Sequence, residues 1–386
     1  MAGELAHFEF TTAGRLVFGR GTRSQAGPAA AALGARALVV TGRSGERALP
    51  FLADLAAHGV AGERFVVPSE PTLERIREGL RQAADFRAQV IFGLGGGSAL
   101  DAAKAIGILS AHPGDPLDYL EVIGGGRPLE RPGLPVIALP TTAGTGAEVT
   151  RNAVLAVPEH RLKVSLRSPW ILPRLAIVDP ELTFGIPSEL TARCGFDALA
   201  QLVEPYLSVR ANPLTDALCR EGMLRSARSL RRAFISEDPA ARIDLSLAAT
   251  LSGMALANAG LGIVHGLASV IGGLLPAPHG AIVARVLAPA LRVNLEALRR
   301  RQPEGPGLGR LADIGRWLAG DPRPEAALEW TESLAVNLRI PLLSDYGLTA
   351  AMIPKVVEGS ARASSTRANP IALTDDEIGA ILEASL

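Results

Sequence analysis

A mainly parallel α/β half followed by an all-α half is the architecture this sequence predicts, and three observations carry it. Through residue 187, short apolar runs of strand character alternate with segments of helical period. That alternation builds a parallel sheet covered on both faces. Beyond Pro187 the strand pattern stops and helical segments continue to Leu386. The stretch QVIFGLGGGSALDAAKAIG, residues 89–107, runs from an apolar strand through Gly95, Gly96 and Gly97 into an alanine-rich helix. Strand, glycine turn and helix form half of a βαβ nucleotide-binding unit. We therefore place an α/β, Rossmann-like nucleotide domain at 1–187 and an all-α domain at 188–386, with the cleft between them as the default active site.

In chain order, FEFTTAGRLVFGRG alternates apolar and polar residues around Gly14, which predicts a short hairpin. A helix follows at 25–33, then a strand at 37–41, a helix at 50–58, a strand at 65–67 and a helix at 72–85. After the glycine unit come a strand at 135–139, a hairpin of 153–157 and 163–166 across Pro158-Glu159-His160, and a last strand at 175–178. In the second half, Asn212-Pro213 caps a helix reaching Phe234, with proline at its tolerated first position. Thr374 and Glu377 form a capping box for the terminal helix. The stretch 299–309, rich in Pro, Gly and charge, reads as an exposed loop.

In the glycine stretch, Ser98 marks the helix start by capping a free amide. Bare glycine backbone admits a ligand closely, and the N–H groups of a helix N-terminus attract anions, phosphate above all. An ordinary strand-to-helix turn looks similar, and the wording matches neither GxGxxG nor a Walker loop. PTTAGTGAEVT, residues 140–150, runs a strand into hydroxyls and glycines suited to a ribose or carboxamide, although a plain Ser/Thr turn has the same look.

The chain has 386 residues, nearly half of them hydrophobic, and a net charge of zero. Nucleic acid and anionic membrane surfaces select for a basic excess, so neither is an expected partner. Two cysteines, Cys194 and Cys219, make no metal-binding spacing and no disulfide framework. The N-terminus shows no signal-peptide pattern, and no run reaches the roughly 20 uninterrupted apolar residues of a membrane span. The expectation is a soluble cytoplasmic protein.

Of the six histidines, His265 and His279 fall in glycine-rich helical context, VHGLASVIGGLLPAPHG. They are too far apart for one helix face, and Gly272, Gly273, Pro276 and Pro278 supply the bend that could bring them together. Asp197 and Gln201 project from one face of an apolar helix, CGFDALAQLVEPYL. A buried carboxylate needs a cation or hydrogen-bond donors. Asp197, His265 and His279 make a ligand set suited to iron or zinc. On spacing alone the plainer reading stands ahead: Asp197 bridges helices and the histidines pack.

Taken together, GGGSALDAAKAIG, PTTAGTGAEVTRN, LAIVDPELT, GFDALAQLVEPYLS, NPLTDAL and VHGLASVIGGLLPAPHG resemble the iron-containing (group III) alcohol dehydrogenase family, members of the lactaldehyde:propanediol oxidoreductase type in particular. The likeness covers nearly the whole chain and implies the fold shared with dehydroquinate synthase. It also implies an NAD(P) cofactor, a divalent metal that polarises the alcohol oxygen, and a homodimer or larger assembly. By the same resemblance, Gly96, Gly97 and Ser98 match the pyrophosphate loop, and Asp101 a position near the nicotinamide. Thr141, Thr142 and Thr145 match cofactor-contacting hydroxyls, Asn152 and Lys163 polar positions beside the ribose and nicotinamide, and Leu182 an apolar contact. Asp197, Gln201, His265 and His279 fall on the four metal-ligand positions.

The sequence departs from the family at two of these places. The second ligand is usually His and here is Gln201, whose carbonyl is a weaker donor to iron or zinc than imidazole. One turn after His265 the family usually has a second His as proton relay, and here stands Ser269. After the strand at 37–41, many NAD-preferring relatives place Asp. Here Thr41-Gly42-Arg43-Ser44 removes the carboxylate that would repel a 2′-phosphate, and Arg43 could pair with one. The reaction expected is reversible hydride transfer between the nicotinamide and a small alcohol, aldehyde or ketone, assisted by the metal. Three rivals are a metal-independent oxo-acid reductase of the maleylacetate reductase type using Arg151 or Arg167, a dehydroquinate-synthase-type lyase, and a catalytically silent NAD(P)-binding relative.

Overall fold

The computed structural model describes residues 7–43, 48–160 and 162–386. The chain forms two compact units, one of Thr12–Gly185 and one of Ile186–Leu386 with the N-terminal segment through Thr11.

In the first unit the described strands are β1 (Leu16–Phe18), β2 (Arg36–Thr41), β3 (Ala61–Val66), β4 (Val90–Gly95), β5 (Val136–Pro140), β6 (Asn152–Val157), β7 (Leu162–Arg167) and β8 (Leu175–Val178). Among the described residues, six of them form one sheet in the order β1-β8-β5-β4-β2-β3, with every pairing parallel. Helices α1 (Ala26–Ala31), α2 (Leu49–Ala57), α3 (Leu73–Asp85) and α4 (Gly97–Leu109) connect the strands. Period-two alternation sorts the side chains. Leu38, Val40 and Ile91 join Ile76 of α3 and Ile106 of α4 on one face. Ala37, Val39, Phe92 and Ile137 join Ala30 of α1 and Phe51 of α2 on the other. Each fully buried large side chain contributes about 2 kcal/mol by leaving water, so the sheet is held from both sides. β6 and β7 pair antiparallel from Asn152↔Arg167 to Val157↔Leu162, and their inward residues Leu155, Val157 and Leu166 join the α3/α4 face.

The expected opening hairpin is not formed. β1 instead lies parallel to β8, with Leu16 opposite Ala176, while Thr11 N–H donates to Asn258 Oδ1 at 2.7 Å within the second unit. Alternation over a few residues specifies a strand but not its partner, and here the partner lies far along the chain. Ser98 is likewise not the helix cap: Gly96 is, in extended backbone, and Ser98 sits inside the first turn of α4.

The second unit comprises α5 (Ser188–Leu207), α6 (Pro213–Ile235), α7 (Pro239–Ala259), α8 (Ile263–Leu274), α9 (His279–Arg301), α10 (Pro306–Ala319), α11 (Pro324–Asn337), α12 (Ile353–Arg362) and α13 (Asp375–Glu383). Asn212 caps α6 through Leu214 and Thr215 N–H groups, and Thr374 with Glu377 closes the box on α13. The loop expected at 299–309 shrinks to a turn. α9 persists through Arg301 because Arg299 pairs with Glu325 and Arg301 with Glu377, and Pro306 then opens α10. α7 has the length and apolarity of a membrane span, yet 67% of that window is buried within the protein. Its small Ala and Ser residues pack against α5 and α6.

Candidate metal and dinucleotide sites

On α5, Asp197, Gln201 and Glu204 stand at i, i+4 and i+7, which puts them on one face. All three are buried. His265 comes from the first turn of α8, and His279 opens α9. The first turn of α9 reaches α5 only because residue 280 is glycine: a Cβ there would stand 2.3 Å from the Arg193 carbonyl oxygen, one turn before Asp197. His265 Nε2 and His279 Nε2 each lie 3.4 Å from Asp197 Oδ1, and the ligand atoms of all three residues fall within 4.8 Å of one another. The two imidazole rings are tilted by 50° with centroids 5.5 Å apart.

Behind His265 stands Glu204, which sequence reasoning missed. Its Oε2 accepts from His265 Nδ1–H, and its Oε1 accepts from Val264 N–H at 2.7 Å. The carboxylate therefore fixes the ring orientation and directs Nε2 toward Asp197, a common arrangement behind metal-ligating histidines. The signal was available: a third polar residue on an otherwise apolar helix face. Burial opposes charge on His265, but Glu204 and Asp197 outweigh it and raise its pKa to about 10. Burial likewise opposes charge on Asp197, and His279 and His265 outweigh it, holding that carboxyl well below its usual range.

Asp197 Oδ1 and His265 Nε2 are sealed from water and have no hydrogen-bond partner among the described residues. Sealed polar atoms without partners are costly. A carboxylate oxygen and two imidazole nitrogens are donors for zinc or iron. Ligands about 2.1 Å from a tetrahedral ion stand about 3.4 Å from one another, which is the separation observed from Asp197 to each ring. The residues fit a divalent cation. Gln201 Oε1 lies 3.0 Å from Ser252 Oγ, and Ser269, half-buried, donates its proton to the Gly266 carbonyl at 2.8 Å.

In the sheet unit, β2 and β4 are neighbours whose connections leave in opposite directions, the switch point where ligands bind doubly wound sheets. The loops that follow them touch: a Cβ on Gly95 would lie 3.4 Å from Gly42 N. A Cβ on Gly96 would meet Thr142 Oγ1 at 3.1 Å, and one on Gly97 would meet Thr145 Cγ2 at 2.8 Å. Thr141 N–H donates to Gly95 O at 2.9 Å. Gly42, Gly96, Gly97, Thr141, Thr142 and Thr145 thus converge around the start of α4, which no side chain caps. Uncapped amides and bare backbone suit a diphosphate. Arg43 is exposed beside Gly42, and Ser44 lies outside the described residues.

The remaining expected positions have other contacts. Asp101 accepts from Val154 N–H at 3.0 Å and pairs with Lys104 Nζ at 3.0 Å. Lys104, also missed from sequence, is fully buried and donates to Thr150 Oγ1 at 2.9 Å and to the Asn152 carbonyl. It ties α4 to the start of β6, and its spacing from Asp101 in D-A-A-K was the visible sign. Lys163 Nζ pairs with Glu70 at 2.5 Å, and Leu182 packs on the Phe92 face of the sheet.

A family model described as iron-containing alcohol dehydrogenase matches residues 13–180, and one for the C-terminal part of the Fe-containing alcohol dehydrogenase family matches 191–386. A choline dehydrogenase of Bacillus subtilis is 32% identical over 363 residues, covering 91% of this chain and 88% of that protein. A 1,3-propanediol dehydrogenase of Klebsiella pneumoniae is 36% identical over 324 residues, covering 82% and 80%. Among solved structures, a 1,3-propanediol oxidoreductase superposes with a TM-score of 0.92 at 32% identity, covering 99% of this chain and 100% of that one. A sulfoacetaldehyde reductase from Bifidobacterium kashiwanohense in complex with NAD+ superposes with a TM-score of 0.87 at 25% identity, covering 98% and 99%.

Proposed function

Because the chain belongs to the iron-containing alcohol dehydrogenase family, we propose that it interconverts a small alcohol and its carbonyl compound with a nicotinamide dinucleotide, and that Asp197, Gln201, His265 and His279 hold a divalent cation. When bound, the cation supplies Lewis acidity to the alcohol oxygen and the nicotinamide accepts or returns hydride. The protein's own residues do the positioning. Glu204 holds His265, Gly280 admits His279, and Gly96, Gly97 and Ser98 with the first turn of α4 receive the diphosphate. Thr141, Thr142 and Thr145 then stand along the dinucleotide, with Asp101, Asn152, Lys163 and Leu182 as further contacts. Ser269 serves as a relay hydroxyl. Its proton rests on Gly266 O while its lone pairs remain able to accept.

The observation that carries this reading is that Asp197 Oδ1 and His265 Nε2 are sealed from water, 3.4 Å apart, with no hydrogen bond to either among the described residues. A metal-independent oxo-acid reductase would leave both to an ion pair longer than a good hydrogen bond. Metal analysis and steady-state kinetics on short alcohols and aldehydes test it. Asp197→Ala loses the ion and lowers kcat/KM by about a hundredfold or more. Retention of full activity by metal-free Asp197→Ala would overturn it.

Arg43, with glycine and no carboxylate at position 42 directly after β2, supports acceptance of NADP(H). We expect kcat/KM with NADPH to equal or exceed that with NADH. A preference for NADH of about a hundredfold refutes this part.

A further inference from the structure

The glutamine among the proposed ligands has a buried hydroxyl as neighbour, and the inference drawn from it rests on the metal-site reading above. Ser252 of α7 is fully buried, and its Oγ lies 3.0 Å from Gln201 Oε1 and 2.8 Å from the Ala249 carbonyl oxygen. A serine hydroxyl carries one proton, so it cannot donate to both oxygens at once. The Ala249 carbonyl is fixed in its helix and has no proton to offer. The Gln201 amide can turn instead, because half a rotation about its last side-chain bond exchanges Oε1 and Nε2 in nearly the same space.

One arrangement satisfies every group. Ser252 O–H donates to Ala249 O, Gln201 Nε2–H donates to Ser252 Oγ, and Oε1 is left on the side away from Ser252. Gln201 stands between Asp197 and Glu204 on one face of α5, and both carboxylates touch His265. We propose that Ser252 is a positioning residue that holds the Gln201 amide with its oxygen toward Asp197, His265 and His279, and so makes glutamine a cation ligand. Without Ser252 the amide is free to turn its N–H groups toward the cluster, and an N–H offers a cation no lone pair.

Calorimetric titration of Zn²⁺ into the metal-free full chain tests the proposal. Ser252→Ala weakens Zn²⁺ binding by about tenfold or more, the usual effect of losing a group behind a ligand. Ser252→Cys, which keeps the volume but accepts hydrogen bonds poorly, gives a similar loss. Gln201→Glu has an oxygen at both ends and no wrong orientation. In that background Ser252→Ala changes affinity by less than about threefold. A Ser252→Ala or Ser252→Cys chain that binds Zn²⁺ as tightly as the parent overturns the proposal, as does an equal loss in the Gln201→Glu background. If Zn²⁺ uptake by the parent does not depend on Asp197, the metal-site reading falls and takes this inference with it.

Discussion

His265 shows how much one side chain can ask of its neighbours. Its two ring nitrogens face two carboxylates of a single helix, Glu204 on Nδ1 and Asp197 toward Nε2. A cation at Nε2 would replace a proton that the same carboxylates otherwise retain, so ion uptake is expected to release protons. His279 depends on a residue with no side chain at all. Gly280→Ala places a Cβ 2.3 Å from the Arg193 carbonyl oxygen, which is backbone and cannot swing aside. The first turn of α9 must then lift from α5. We expect a stability loss of about 1–3 kcal/mol and a fall in Zn²⁺ affinity of about tenfold or more. Thermal melts and titration measure the two effects, and unchanged Zn²⁺ affinity would count against the assigned role of His279.

At the scale of elements, α4 does two things with its two ends of character. Its body is nearly all buried between the sheet and the β6–β7 ladder, which explains the run of alanines. Its N-terminus is left without a side-chain cap where the β2, β4 and β5 loops meet. Gly97→Val drives carbon into Thr145, already 2.8 Å from a bare Cβ, and closes the space above those amides. Dinucleotide affinity should drop by about a hundredfold, since close backbone approach to the pyrophosphate is what glycine permits. Zn²⁺ affinity, whose proposed ligands lie on α5, α8 and α9, should stay within about twofold. Fluorescence titration with NADH and calorimetry with Zn²⁺ separate the two, and undiminished NADH binding would remove the glycine loop from the proposed site.

At the scale of the whole molecule, the chain belongs to its family along both units, and each unit carries its own group of candidate residues. The sequence by itself determined the kinds of element, the caps on α6 and α13, the hairpin of β6 and β7, and the motifs that resemble the family. These are short-range matters: side-chain period and cap chemistry act within a few residues, and motif wording survives without coordinates. Only the tertiary structure decided that β1 joins β8, that α9 runs on to Arg301 with only a turn before α10, that Glu204 backs His265, and that Lys104 is spent on Thr150 and Asn152. Each of those pairs residues far apart in the chain. A sequence read locally shows a polar residue on an apolar face. Which distant group satisfies it depends on how closely two helices pass, and at α5 and α9 that distance rests on the missing Cβ of Gly280.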